Sequence, residues 1–282
     1  MLAMLFAVVS PVYTKAQHHE HKMVRQGTDT TGLLRLARSI KAVNTDLFEA
    51  GAYKGKNGHV IQYRLLRPQG DKSKKYPLVV VLHGSGAVGN DNRKHMGVMA
   101  NMWATPEVRQ KYPAYVLAPQ FLSRSSNYAM NKQRGVLASA GQACMQPLLN
   151  LLDSLKRLPG IDDRRIYLVG YSMGGSTTMN ILSQWPELFA AAVPISCIPQ
   201  FDNMETLRHI PIWLIHGNAD DVNNIASDRQ FYKEMGDKSL TTMWEFDKAG
   251  HEDIFTTSVI GEYLPQWLFQ WEKPLPASPK GR

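Results

Sequence analysis

The segment Gly170-Tyr171-Ser172-Met173-Gly174-Gly175 sets a serine in the pattern G-x-S-x-G. Glycines at those positions let a chain turn sharply from a strand into a helix. The turn lifts the hydroxyl to the edge of a sheet, beside backbone N–H groups that point at it. Such a hydroxyl attacks a carbonyl only once a neighbouring base takes its proton. Nine histidines are available. His18, His19 and His21 lie near the start of the chain, outside the main body. His83 and His216 each follow an apolar run and precede a glycine, so they read as hydrogen-bonding residues that shape loops. His59, His95 and His209 carry no flanking signal. His251 follows Ala249-Gly250 in a loop before the last apolar stretch, and it is the expected base. An imidazole in that role needs a carboxylate to fix its tautomer and stabilise its charged form. The segment His216-Gly217-Asn218-Ala219-Asp220-Asp221-Val222 offers two. Asp220 is preferred for its offset from the His-Gly pair, with Asp221 as its rival; Asp247 and Asp253 stand too near His251 in sequence. The negative oxygen formed on attack needs donors. One is expected from the Met173 N–H and the other from the Ser85 N–H in His83-Gly84-Ser85-Gly86, with Gly84 and Gly86 as substitutes.

The elements that must hold these residues can be read from the hydropathy pattern. Residues 77–82 and 115–118 are short runs of branched apolar residues without alternation, as in strands buried on both faces. Residues 165–169, 190–195, 212–215 and 241–246 read likewise. Helical spacing is expected over 33–43, 136–158, 176–184, 225–235 and 259–271, the last bent at Pro265. Pro159-Gly160 stops the second of these. Asn57-Gly58 is a hairpin turn signal, with a strand over 59–66. Strands alternating with helices imply an α/β fold with a mostly parallel central sheet, helices on both faces and an antiparallel hairpin at its start. The order serine, acid, base then puts all three on loops at the carboxyl ends of strands.

The chain has 282 residues, 44% hydrophobic and 20% charged, which is ordinary globular composition. Its net charge of +8 raises a nucleic-acid partner, but Lys and Arg are scattered and no recognised motif accompanies them, so none is expected. Residues 1–16 combine a short apolar run with Thr14-Lys15-Ala16, a pattern expected of a cleaved secretory signal and too short to span a bilayer. Residues 17–47 then form an extension with a short helix, 48–272 the main domain and 273–282 a basic tail. His18-His19-Glu20-His21 reads as solvated polar sequence rather than a metal site. Cys144 and Cys197 fit two free thiols at least as well as a bridge. No cofactor or metal is called for.

The stretch from Lys75 through His83-Gly84-Ser85-Gly86 to Asp91-Asn92 resembles secreted bacterial α/β hydrolases, as do Ala118-Pro119-Gln120, the segment from Arg165 to Gly175 and the His216-Gly217 loop. The branch is that of the predicted peptidases, the phospholipase/carboxylesterase-like proteins and the feruloyl-esterase-like enzymes. The resemblance runs from about Phe48 to Trp271. It implies the α/β-hydrolase fold, a triad of Ser172, Asp220 and His251, an oxyanion site in the 83–86 segment, and a site floor shaped by Asp91, Asn92 and Gln120. Asp221 stands where many relatives carry proline, and Asn223-Asn224 replaces an apolar-proline pair. The expected activity is a secreted carboxylic ester hydrolase working through an acyl-enzyme, with acyl groups on polysaccharides as a candidate substrate. Trp103, Phe121 and Tyr128 are candidates for an aromatic binding surface, though such residues are more often core. The alternatives are a peptidase with the same triad and, further off, a non-catalytic binding protein.

Overall fold

The computed structural model describes residues 19–25, 30–55, 58–256 and 259–274. Its strands are β1 (Glu20–Val24), β2 (Phe48–Lys54), β3 (Val60–Leu66), β4 (Tyr76–Leu82), β5 (Tyr115–Gln120), β6 (Ser126–Asn131), β7 (Val136–Gly141), β8 (Ile161–Tyr171), β9 (Ala191–Ile195), β10 (Ile212–Gly217) and β11 (Thr241–Phe246). The α-helices are α1 (Thr30–Lys41), α2 (Val98–Asn101), α3 (Pro106–Lys111), α4 (Gln146–Leu155), α5 (Met173–Gln184), α6 (Met204–Leu207), α7 (Ala226–Met235) and α8 (Tyr263–Phe269). Nine strands form one sheet in the order β1-β11-β10-β9-β8-β4-β5-β3-β2. Every neighbouring pair from β1 to β5 along that order is parallel. The β5–β3 and β3–β2 pairs are antiparallel, so the expected early hairpin forms one edge of the sheet. This is the α/β-hydrolase fold.

The sequence of β4 shows why the sheet sits at the centre. Leu78, Val80 and Leu82 point to one face and belong to the same buried core as Leu148, Leu152, Met179 and Phe231 of α4, α5 and α7. Val79 and Val81 point to the other and belong to the same buried core as Trp103, Val108, Leu264 and Leu268. A strand read by two cores gains from apolar residues at every position, each contributing about 2 kcal/mol through burial.

Several expected elements differ in the structure. Residues 136–158 are not one helix: β7 occupies the first part and pairs antiparallel with β6, and α4 begins only at Gln146, with Pro147 in its first turn. The strand is anchored by polar side chains that a hydropathy pattern cannot register. Asn180 Nδ2 of α5 donates to Ser126 Oγ at 2.8 Å and Ser139 Oγ at 3.2 Å. Ser125 and Thr177 hydroxyls meet at 2.8 Å. The closing helix is only α8, and Pro265 lies in its first turn, where no helical N–H bond is lost and no bend is required.

The extension holds a strand as well as the expected helix α1. There β1 adds to β11 in parallel, from Glu20↔Thr242 to Val24↔Phe246. His19 stacks on Tyr232 with centroids 4.0 Å apart, and His21 Nε2 lies 3.2 Å from Glu245 Oε2. These histidines therefore serve strand docking. His18, the expected signal segment and the end of the expected basic tail lie outside the described residues. Trp103 and Phe121 are each 1% exposed and belong to the core, leaving only half-buried Tyr128 of the aromatic candidates. Cys144 and Cys197 are free thiols.

Candidate active site

Because β4, β8, β10 and β11 run parallel, their carboxyl ends lie along one rim, and the loops that follow them bring the candidate residues together. Ser172 directly follows β8 and precedes α5, with φ 56° and ψ −120°. A side chain at positive φ is strained, on the order of 1–3 kcal/mol. The turn is held by Ser172 N–H donating to Ile195 carbonyl at 2.8 Å and by Ser176 N–H donating to Ser172 carbonyl at 3.0 Å. It also demands close packing of backbone. A Cβ on Gly174 would lie 2.2 Å from the Leu82 carbonyl oxygen, and one on Gly170 2.2 Å from the Gly174 carbonyl oxygen. The glycines of the motif are thus required by contact of α5 with β4 and β8.

The structure brings Ser172, His251 and Asp220 into one hydrogen-bonded chain. His251 Nδ1 lies 2.7 Å from Asp220 Oδ2, and its Nε2 lies 2.9 Å from Ser172 Oγ. A carboxylate only accepts, so Nδ1 carries the hydrogen; Nε2 is then bare and accepts the Ser172 hydroxyl. Ser172 is 8% and Asp220 7% exposed, so bulk water competes weakly for these bonds. The other oxygen of Asp220 accepts the N–H groups of Val222 at 2.9 Å and Asn223 at 2.8 Å. Burial opposes ionisation of Asp220, but bonds from His216, His251 and the Asn223 backbone outweigh it and hold its pKa well below the usual carboxylate range. Asp221, the rival, is exposed to solvent. Asp253 instead accepts the Gly250 N–H at 2.8 Å, and Asp247 Oδ1 accepts from Asn218 Nδ2 at 3.2 Å. The His251 loop is braced from below. The Tyr171 hydroxyl and the Ser196 hydroxyl both donate to the His251 carbonyl at 3.3 Å, and the Tyr171 ring lies 5.0 Å from the imidazole.

The loop after β4 runs beside the serine. A Cβ on Gly84 would come 3.4 Å from the Tyr171 ring and 3.7 Å from Ser172 Cβ. A short 3₁₀ turn covers Ser85–Ala87, with Ala87 N–H donating to Gly84 and Val88 N–H to Ser85. The Ser85 and Gly86 N–H groups stand outside those bonds, as the Met173 N–H does at the start of α5. His83 Nε2 accepts the Phe121 N–H at 3.0 Å, so Nδ1 carries the hydrogen and donates to the Gly84 carbonyl at 2.8 Å. This is the loop-shaping task expected for His83. Asp91, Asn92 and Gln120 form one network. Gln120 Nε2 donates to Asp91 Oδ1 at 3.0 Å and to the Ala87 carbonyl at 3.2 Å, while its Oε1 accepts the Asn92 N–H at 2.6 Å. These bonds hold the far half of the loop; they go to one another and to backbone rather than to Ser172 or His251. Next to Gln120, a hollow of about 100 Å³ opens between Val60, Gln62, Gly89, Asn90 and Leu122.

Sequence reasoning missed the β6–β7 hairpin, which docks on the helix that follows Ser172. Its Tyr128 hydroxyl accepts from Ser176 Oγ at 3.1 Å, one helical turn beyond Ser172, and the Arg124 guanidinium lies 4.9 Å from the Tyr128 ring centre. Arg134 between the two strands grips Glu234 of α7, with Nε at 2.8 Å from Oε1 and Nη2 at 2.8 Å from Oε2. Among the described residues, no group of three or more His, Cys, Asp or Glu side chains is arranged to hold a metal, and no helix is long and apolar enough to cross a membrane.

The sequence model of the prolyl oligopeptidase family matches residues 125–238, which include Ser172 and Asp220. The chain is 36% identical over 88 residues to a bifunctional acetylxylan esterase/xylanase of Neocallimastix patriciarum, a match covering 31% of this chain and 13% of that protein. It is 23% identical over 286 residues to dipeptidyl peptidase 4 of Sus scrofa, covering 87% of this chain and 36% of that protein. The chain therefore spans much less than two thirds of the length of either relative. Among solved structures, a thermostable esterase aligns with TM-score 0.73 and 29% identity, over 81% of this chain and 64% of that one.

Proposed function

We propose that this α/β-hydrolase, a serine hydrolase of the esterase or peptidase type, cleaves carboxylic esters through an acyl-enzyme, with Ser172 as nucleophile, His251 as base and Asp220 as orienting acid. The observation that carries the proposal is the unbroken chain Ser172 Oγ–His251–Asp220, with spacings of 2.9 and 2.7 Å, at the strained turn before α5. As Ser172 Oγ bonds to the substrate carbonyl carbon, its proton passes to His251 Nε2, and Asp220 stabilises the imidazolium. The carbonyl oxygen becomes negative and is met by the N–H groups of Met173 and Ser85; losing one such donor costs about 3 kcal/mol in the barrier. The C–O bond to the alcohol breaks, and the alcohol leaves with the proton from His251. Water, deprotonated by the same imidazole, then releases the acid and frees Ser172.

The esterase relatives support the ester over the amide as substrate, and the acetylxylan esterase supports acyl groups on polysaccharides as the substrate class. Export to the periplasm or beyond fits such a substrate and the sequence of residues 1–16. The second reading, a peptidase with the same residues, is favoured by the prolyl oligopeptidase match and by dipeptidyl peptidase 4. The test is a panel of p-nitrophenyl acetate, methyl ferulate, acetylated xylan and aminoacyl anilides, with wild type and Ser172→Ala side by side and a fluorophosphonate probe. Ester turnover and probe labelling, both lost in Ser172→Ala by at least about 10⁴-fold, are expected. Anilide turnover exceeding ester turnover would transfer the case to the peptidase, and labelling that survives in Ser172→Ala would overturn the triad.

A further inference from the structure

Behind Asp220 lies a buried titratable pair that the reaction above leaves without a task. His216, near the end of β10, is 0% exposed, and both of its ring nitrogens are engaged. Nδ1 lies 2.7 Å from Asp228 Oδ2 on α7, while Nε2 lies 2.8 Å from the Asn223 carbonyl oxygen and 3.1 Å from Asp220 Oδ2. A carbonyl oxygen only accepts, so Nε2 must carry a hydrogen. Nδ1 faces a carboxylate oxygen and has the same requirement. A neutral ring would set a bare nitrogen against a carboxylate and leave two buried carboxylates, Asp220 and Asp228, with no cation between them.

We propose that His216 is a doubly protonated positioning residue, clamped by Asp228, which fixes Asp220 and limits how strongly that carboxylate draws a proton onto His251. This rests on the reading of Ser172, Asp220 and His251 as a triad. One oxygen, Asp220 Oδ2, accepts from both His216 and His251, so the two imidazoles compete for the same lone pairs. A permanent positive charge on the far side of Asp220 opposes the appearance of a second one on His251. The effect is to weaken the pull of Asp220 on the imidazole that serves Ser172.

Other charged and titratable groups surround the ring. The Cys197 thiol donates to Asp228 Oδ1 at 3.3 Å and is held neutral, its pKa pushed well up by burial and then by Asp228. Glu245 is the neighbour of His216 in register on β11. Its carboxylate is taken by Arg229, whose Nε lies 3.0 Å from Oε2, and by His21. The Tyr128 phenol on the hairpin is kept protonated, first by burial. Burial alone would discharge His216, but Asp228 and the hydrogen bonds to Asp220 and Asp228 hold its pKa up at about 9.

The test follows the pH dependence of Ser172 phosphonylation by a fluorophosphonate, a readout that needs no knowledge of the substrate. It compares wild type with His216→Gln and with the double variant His216→Gln/Asp228→Asn, which leaves no unpaired buried carboxylate. Removing the nearer positive charge is expected to move the acid limb of the profile up by about 0.5–1 pH unit. A role confined to packing would lower the rate with the limb in place; a limb that stays or moves down overturns the proposal. Nitrogen NMR of the ¹⁵N-histidine-labelled wild-type protein decides the charge without any variant. His216 should keep imidazolium shifts at both ring nitrogens from about pH 5 to pH 8, and a neutral ring there overturns the proposal. Wild type that is not labelled at Ser172 would mark the failure of the triad reading itself, a different result from a labelled enzyme whose limb does not move.

Discussion

At the scale of single residues, the choice of acid and the strain at the nucleophile lead to separate measurements. Asp220 meets His251 Nδ1 at 2.7 Å, whereas Asp221 is turned to solvent. Asp220→Asn should therefore lower kcat for ester hydrolysis by about 10⁴-fold by presenting the wrong tautomer, while Asp221→Asn should stay within about threefold of wild type. Steady-state kinetics on p-nitrophenyl acetate would check both, and comparable losses in the two variants would contradict the geometry. Ser172 at φ 56° occupies backbone space that glycine enters freely. Ser172→Gly should abolish turnover and yet raise the melting temperature by about 2 °C, the released strain exceeding the entropy lost by glycine. Much of this was legible in the sequence, because a nucleophile on a strand–helix turn announces itself through glycines fixed by local backbone contact. The link from Asp228 to His216 was not. It joins a helix to a strand across 12 positions of chain with no periodicity, and only the fold shows that the aspartate points inward.

At the scale of elements, α5 can approach β4 only because Gly174 has no side chain. Gly174→Ala would set Cβ 2.2 Å from the Leu82 carbonyl oxygen and 2.7 Å from the His83 carbonyl oxygen, both rigid backbone. The helix would have to back away, carrying the Met173 N–H with it. A loss of about 4 kcal/mol or more in urea unfolding is expected, with a matching loss of activity. Gly86→Ala is the control, since a Cβ there meets nothing within 4 Å; unchanged stability is expected. The strands of the parallel sheet were legible as unbroken apolar runs, since both faces of each are covered. The β6–β7 hairpin escaped because its docking depends on Ser125, Ser126, Ser139, Thr177 and Asn180, buried polar residues that pair with one another. Hydropathy counts such residues as surface. The same blindness applied to β1, whose five residues EHKMV are mostly exposed and have no apolar alternation. Its partner strand holds it, not its own composition.

At the scale of the whole molecule, two buried histidines set opposite limits on stability. His95 donates through Nε2 to the Ala118 carbonyl at 3.0 Å and has Nδ1 buried with no partner among the described residues. Burial, then His83, hold its pKa down at about 4. Below pH ~6.5 the unfolded chain takes up a proton that folded His95 refuses, so stability falls as pH drops from about 6.5 towards 4. His216 behaves inversely, its folded pKa of about 9 lying above the unfolded value. Its contribution is whole below about 6.5 and fades as pH rises through 9, for a total on the order of 3 kcal/mol. Chemical unfolding followed from pH 4 to pH 10 should give a maximum near neutrality with decline on both sides, and His216→Gln should flatten the alkaline side. Glu20 of β1 pairs with Thr242 of β11. One edge strand of the sheet, β1, is thus held by a strand that is translated much later. On the ribosome, β1 must wait as unpaired polypeptide for more than two hundred residues of synthesis before β11 exists, so a nascent chain arrested before residue 241 should leave residues 20–24 open to protease.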